Sequence, residues 1–329
     1  MRILVTGGAG YVGAASVEVL LAAGHGVVVL DDLSTGHRAA VPTGATFVEG
    51  SYTEDGPVAE LLREHRIDAV LHCAARSLVA ESIEKPGLYH AQNVVGGNAL
   101  LDACRSVGVR RFVFSSTAAV YGIPDSVPIV EDAPTRPINP YGETKLLFEA
   151  ALAAATADGL RSVSLRYFNV AGASAAVGEV HRPETHLIPN VLTAAEGRGP
   201  LTIFGGDYPT PDGTAIRDFI HVADLATAHL AALAATAPDD PRTDAPLVCN
   251  LGSSAGFSVR EILAAAEAVA GRSIPHRVGP RRTGDPPILI ASHERASRLL
   301  GWRPARSTLP EMIGSAWEWR QSHPDGYRD

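Results

Sequence analysis

The sequence predicts an α/β fold: a doubly wound parallel sheet with a smaller C-terminal α/β domain. Three observations predict it. Short apolar runs too dense to alternate recur through the first half, as strands buried on both faces require. Helical patterns separate these runs, the spacing expected of a parallel sheet with helices on both faces. After about Arg166 the alternation loosens, and proline, glycine and short irregular motifs take over.

Ile3-Leu4-Val5 is the first such run, in a strand over 2–5. It leads into Thr6-Gly7-Gly8-Ala9-Gly10-Tyr11-Val12-Gly13 and then a helical pattern (Val17, Leu20 and Leu21 apolar) that Gly24 ends. Residues 27–30 form the next strand and close on Asp31-Asp32. Strand, glycine loop, helix, strand and acid together are the context a dinucleotide fingerprint requires, so the sheet is of the Rossmann kind. The glycines allow a tight turn and close approach of backbone to a pyrophosphate, and free N–H groups at the helix start face that anion. Asp31 stands 18 residues after Gly13, where a carboxylate binds the ribose 2′-hydroxyl and repels a 2′-phosphate. NAD is therefore expected rather than NADP.

The alternation continues with strands over 45–48, 69–72, 111–114 and 160–165 and helices over 58–65 and 93–107. The strand over 69–72 runs into the small residues Cys73-Ala74-Ala75, and that over 111–114 ends in Ser115-Ser116-Thr117. Ligands on such sheets sit beyond the carboxyl ends of the strands, and Gly7 to Gly13, Asp31, Ala74 and Thr117 all fall there. The expected division is a cofactor-binding domain over 1–168, rejoined by about 217–245, and a mainly substrate-binding domain over 169–329. In the second half of the chain, 224–235 and 259–270 read as helices, 236–245 as a surface loop and 248–251 as a strand.

Tyr141-Gly142-Glu143-Thr144-Lys145 carries the chemistry. Pro137 and Pro140 precede it and suit the first turn of a helix. Residues four apart share a helix face, so the phenol and the ammonium point the same way. A phenol of pKa about 10 is a poor base at neutral pH, and a cation held beside it is expected to favour the phenolate. The chain has two lysines, Lys85 and Lys145, so a chance Tyr-x-x-x-Lys is expected only about 0.05 times.

A net charge of −8 argues against general binding to nucleic acid or anionic membrane. The three cysteines, Cys73, Cys104 and Cys249, are isolated and read as buried reduced thiols. No metal is expected: His72, His186 and His221 have no second ligand at a familiar metal-binding spacing. With no charged-then-apolar leader and no apolar run of spanning length, a cytoplasmic protein is expected.

Thr-Gly-x-x-Gly-x-x-Gly, Tyr-x-x-x-Lys and the upstream Thr117 together resemble the extended short-chain dehydrogenase/reductase superfamily, and more narrowly its nucleotide-sugar 4-epimerases. The resemblance extends from Met1 to His323-Pro324-Asp325-Gly326-Tyr327 and includes the segments 114–122, 166–169, 203–208, 217–222 and 281–285. It implies an isomerase that interconverts UDP-glucose and UDP-galactose through a transient 4-keto sugar on tightly bound NAD. By motif match Tyr141 is the base, Lys145 tunes it and contacts the nicotinamide ribose, and Thr117 bonds the reacting oxygen. Cofactor contacts carry over to Gly7, Gly10, Gly13, Asp31, Asn93 and the backbone near Ala74, with Tyr11 and Val12 supplying helix-start N–H groups. UDP-sugar contacts carry over to Asn169, Leu187, Arg217, Arg282 and Asp285, the two arginines suiting a diphosphate. A homodimer built on helices of the cofactor domain is also implied. The alternatives are an epimerase for UDP-N-acetylglucosamine or a UDP-uronate, and a non-catalytic NAD-binding regulator. A 4,6-dehydratase needs an acid and a base after the Thr, where this chain has Ala118-Ala119. Leu289 stands where the family varies between bulky and small residues with tolerance of a 2-acetamido group.

Overall fold

The computed structural model describes residues 1–282 and 285–328. The first half supplies strands β1 (Arg2–Thr6), β2 (Gly26–Asp31), β3 (Thr46–Glu49), β4 (Ala69–His72), β5 (Arg111–Thr117) and β6 (Arg161–Tyr167). Between them run helices α1 (Tyr11–Ala22), α2 (Asp55–Glu64), α3 (Val79–Glu84), α4 (Pro86–Tyr89), α5 (Gly97–Val107) and α6 (Pro140–Ala155). The second half supplies β7 (Asn169–Ala171), α7 (Leu187–Ala195), β8 (Leu201–Phe204), β9 (Ile216–His221), α8 (Val222–Ala235) and β10 (Leu247–Leu251). The chain then continues through β11 (Gly256–Ser258), α9 (Val259–Ala270), β12 (His276–Gly279), β13 (Ile288–Leu289), α10 (Glu294–Leu300) and α11 (Leu309–Ser322).

Seven strands form one parallel sheet in the order β10-β6-β5-β4-β1-β2-β3. Ile3 and Val5 pack on one face with Val17 and Leu20 of α1 and Leu225 and Leu233 of α8. Leu4, Val28 and Leu30 pack on the other with Val58 and Leu62 of α2, Leu100 of α5, and Phe148 and Leu152 of α6. Alternate residues of a strand point to opposite faces and both faces are covered, which is why these strands are apolar without a break. The order of the strands reverses between β1 and β4, and the crevice this opens at their carboxyl ends is where such sheets take ligands.

Two elements differ from the sequence expectation. The helix expected over 93–107 is two pieces: His90–Gly96 is wound as a π-helix and only then does α5 begin. Such wide turns concentrate at functional sites, and this one carries Asn93. Residues 248–251, expected beside the second-half helices, belong to β10, which pairs in parallel with β6 at the edge of the large sheet (Leu247 opposite Val163). Their apolar run is long enough for a strand, but which sheet receives it is a tertiary matter.

The remaining strands form small sheets: β7 and β13 run parallel to β9, β11 runs antiparallel to it, and β8 pairs with β12. Helices α7, α9 and α11 pack over them through Val191, Leu192, Ile262, Leu263, Met312 and Ile313. Among the described residues no helix is long and apolar enough to cross a membrane.

Candidate active site

The glycine loop joins β1 to α1 at the carboxyl edge of the large sheet. Gly7 has φ of 71°, and a Cβ there would lie 2.6 Å from the Ala74 nitrogen. A Cβ on Gly13 would lie 2.1 Å from the Gly7 carbonyl oxygen. Both are distances that no side chain tolerates, so the turn closes only with glycine. Gly10 precedes α1 as a cap without a side chain, and the first intrahelical bond runs from Ala14 N–H to its carbonyl at 2.8 Å. The N–H groups of Tyr11, Val12 and Gly13 therefore precede that ladder and are available to an anion. The Tyr11 phenol is committed elsewhere: it donates to the Gly172 carbonyl at 2.5 Å.

At the end of β2, Asp31 is nearly buried and accepts from Ala9 N–H at 3.0 Å and Leu33 N–H at 2.9 Å. Burial raises its pKa while these two amides lower it. Each carboxylate oxygen retains a lone pair for a ribose hydroxyl. Ala74, past β4, donates its N–H to Thr6 at 3.0 Å and backs onto Gly7. A cradle that excludes Cβ atoms, unpaired helix-start amides and a nearby carboxylate together fit NAD.

Asn93, expected among the cofactor contacts, is buried and anchored on the protein through its amide. Its Oδ1 accepts from Arg76 N–H at 2.8 Å, and its Nδ2 donates to the Arg76 carbonyl at 3.0 Å and to Thr144 Oγ1 at 3.1 Å. The amide thus ties the segment after β4 to α6, and both of its N–H donors have protein partners.

Helix α6 is capped by Asn139, whose side chain accepts from Gly142 N–H at 2.9 Å, with Pro140 in its first turn. Tyr141 is thereby held in that first turn opposite the end of β5. The Thr117 hydroxyl accepts from Ala119 N–H at 3.1 Å, so it also caps the short helical turn Ala118–Tyr121. Burial pushes the Tyr141 phenol up to about 12, against a lowering by its hydrogen bond with Thr117. Lys145 is buried, donates from Nζ to the Ser115 carbonyl at 2.7 Å, and lies 4.6 Å from the Phe114 ring and 5.9 Å from the Tyr141 ring. Burial brings its pKa down to about 8, opposed by Cys73 and Glu149.

Lys145 is expected to favour the phenolate together with the positive nicotinamide of bound NAD. Its ammonium is hydrogen-bonded to the Ser115 carbonyl rather than to the phenol, and burial is the larger influence on Tyr141.

Sequence reasoning missed the charged network behind the pair. Glu149, one turn past Lys145, accepts from Arg166 Nε at 2.9 Å and from Ser116 Oγ at 2.5 Å. Arg166 also donates to Tyr121 Oη at 2.9 Å, and Tyr121 donates to Asn250 Oδ1 at 2.7 Å. Burial works to lower the Arg166 pKa, but Glu149 and Tyr121 hold it above its ordinary value. The available signal was a single Glu inside the apolar helical run Leu146-Leu147-Phe148-Glu149-Ala150-Ala151.

The expected substrate residues lie on the second half. Asn169 opens β7 and donates from Nδ2 to the Asp218 carbonyl at 2.9 Å. Leu187 begins α7. Arg217 on β9 is paired with Asp285, so the arginine and the acid meet directly. Arg282 is exposed and stacks over the Phe204 ring at 4.3 Å, apart from that pair. Leu289 on β13 is opposite Arg217 and packs against the cluster of Val120, Tyr121, Ile129 and Phe168. Of the motif 281–285, residues 283 and 284 lie outside the described residues.

His72 and His221 are structural. Burial holds His72 near 3, with its Nδ1 2.7 Å from Thr6 Oγ1. His221 caps α8, accepting from Ala223 N–H at 3.0 Å, and burial brings it down to about 4. His186 is not isolated as expected, because the structure gathers Glu179, His181, Glu184 and His186. Burial disfavours each charge there, yet the carboxylates push His181 up to about 9 and His186 up to about 10.

Residues 3–251 match the NAD dependent epimerase/dehydratase family, and the chain belongs to that family. Among relatives, a UDP-glucose 4-epimerase of Lactobacillus helveticus is 49% identical over the whole of both chains. One of Streptomyces lividans is 51% identical over 100% of this chain and 98% of its own. The crystal structure of UDP-glucose 4-epimerase from Brucella ovis in complex with NAD superposes with a TM-score of 0.92 at 44% identity, covering 96% of this chain and 97% of that one.

Proposed function

We propose that this chain interconverts UDP-glucose and UDP-galactose as an NAD-dependent 4-epimerase. The observation that carries the reading is the Thr117–Tyr141 hydroxyl pair set at the same sheet edge as the glycine loop, followed by Ala118 and Ala119, which cannot transfer protons. Bound NAD would supply the redox chemistry, accepting a hydride from C4 and giving it back to the opposite face. Tyr141 takes the 4-hydroxyl proton and later gives it back, so the net change is inversion at C4. Thr117 holds the C4 oxygen, and Lys145 contributes positive charge near Tyr141 and a hydrogen bond that fixes its own ammonium on β5. Gly7, Gly10, Gly13, Tyr11, Val12, Ala74, Asp31 and Asn93 would hold the cofactor. Asn169, Leu187, Arg217, Arg282 and Asp285 hold the UDP-sugar. Asp285 neutralises Arg217 in the free chain, so a diphosphate competes with it for the guanidinium.

Purified protein given UDP-galactose is expected to form UDP-glucose with no net consumption of NAD. Failure to interconvert them with NAD supplied would sink the reading. UDP-N-acetylglucosamine run in parallel reads out Leu289: at least tenfold slower turnover (roughly 1.4 kcal/mol) is expected if its bulk excludes the acetamido group.

We further propose the division into a cofactor domain over 1–168, rejoined through 217–245, and a mainly substrate-binding domain over 169–329. Supporting it, α8 packs with α1 in the core of the large sheet. A cytoplasmic homodimer completes the reading. Its free thiols suit a reducing compartment, and Val79, Ile83, Val95 and Leu147 leave apolar surface on α3, the π-helix and α6. Sedimentation equilibrium is expected to give twice the chain mass, and a monomer at micromolar concentration would remove the dimer. Cell fractionation checks the compartment.

A further inference from the structure

Residues 172–186 connect β7 to α7 without forming a helix or strand. Connections of this length inside a compact fold are usually functional or held by specific ties. Here the tie is four side chains in the order Glu179-x-His181-x-x-Glu184-x-His186. His186 Nδ1 lies 3.0 Å from Glu179 Oε1 and 2.9 Å from Glu184 Oε1. His181 Nδ1 lies 3.3 Å from Glu179 Oε1 and 3.6 Å from Glu184 Oε2. One donor atom from each of the four residues falls within 4.8 Å of all the others.

We propose that Glu179, His181, Glu184 and His186 form a binding site for one divalent transition-metal ion of the zinc type, which clamps residues 172–186. The spacing fits: ligands about 2.0–2.1 Å from a tetrahedral ion stand about 3.3–3.4 Å from one another, within the range of separations seen here. The donor set fits as well, since two imidazoles and two carboxylates favour zinc-like ions over calcium or magnesium. His181 Nδ1 is buried and has no aligned hydrogen-bond partner, although it faces both carboxylates. The arrangement is also prepared from behind. Gly178 exchanges two hydrogen bonds with the Tyr327 hydroxyl, at 2.9 and 3.0 Å, and lies so close to Trp319 that a Cβ would come within 2.1 Å of its ring. The Glu179 side chain is only 8% exposed. Charge complements too: the two carboxylates offset a divalent cation, with both imidazoles binding it in the neutral form.

The clamp would fix the entry to α7, where Leu187 begins, and the start of the segment, where Gly172 accepts from Tyr11. It has no part in the hydride chemistry and does not rest on the sugar assignment.

The test uses full-length protein stripped with a chelator, dialysed and titrated with Co²⁺, with metal content measured after desalting. About one Co²⁺ per chain is expected, with the visible absorption of a tetrahedral ion that Zn²⁺ abolishes by displacement. His181→Ala and the near-isosteric Glu184→Gln should each weaken binding at least tenfold while circular dichroism stays unchanged, and His276→Ala, an exposed histidine on β12, should bind as the parent does. Less than about a tenth of an equivalent on the parent protein at micromolar metal would overturn the site. So would parental binding by both His181→Ala and Glu184→Gln. The parent titration decides even if a variant fails to fold.

Discussion

Tyr141→Phe is expected to lower kcat by about 10²–10⁴-fold, the usual range for loss of a positioned acid–base group, with fold and NAD content unchanged. The aromatic ring stays in the first turn of α6 and only the hydroxyl toward Thr117 is lost. A variant with full activity would remove Tyr141 from the base role. The pH profile makes the test sharper. Burial holds the phenol near 12 in the free chain, with Thr117 opposing, so phenolate is scarce at neutral pH unless further positive charge arrives. The nicotinamide ring of bound NAD carries that charge. A base acts only when deprotonated, so kcat should rise with pH through the phenol's lowered pKa in the NAD complex. On the alkaline side Lys145, brought down to about 8 by burial, loses its proton and its charge, and kcat should fall again. The residual rate of Tyr141→Phe should lack the acidic limb, measured by initial rates from pH 5 to 10.

How much of this was legible in the sequence follows from the reach of each signal. The glycine loop, Asp31 and the Tyr141–Lys145 spacing are local patterns on predictable elements, and each falls at the sheet edge where the alternation of elements places it. The effect of Lys145 was not legible. Helical spacing gives the direction of a side chain, but the Ser115 carbonyl that accepts its hydrogen bond lies on β5, a separate element. Asn93 illustrates the same limit, since its partners Arg76 and Thr144 come from two separate segments. The pairing of Arg217 with Asp285 joins residues on either side of a long excursion. For the Glu179–His186 cluster the spacing is in plain view, but it follows no familiar ligand pattern, and only an irregular backbone brings these four residues to one point.

Glu149→Ala is expected to destabilise the fold by about 3–5 kcal/mol, because removing one partner of a buried ion pair strands the other charge. The Glu149 and Arg166 side chains are each 7% exposed and 2.5 Å apart, so water cannot replace the carboxylate without opening the space between α6 and β6. Urea denaturation measures the loss; a change below about 1 kcal/mol would mean that the pair is solvated like a surface bridge. A double variant separates charge from position. Arg166→Met with Glu149→Leu removes both charges and should recover much of the stability, since well-packed apolar replacements of buried pairs are often neutral or better. Turnover should nonetheless stay low in that double variant. Ser116 would lose its acceptor and Tyr121 its donor, and these bonds flank Thr117 on one side and α6 on the other. A stable but slow double variant would therefore assign the network to positioning Thr117 against Tyr141, whereas parental turnover would confine it to stability.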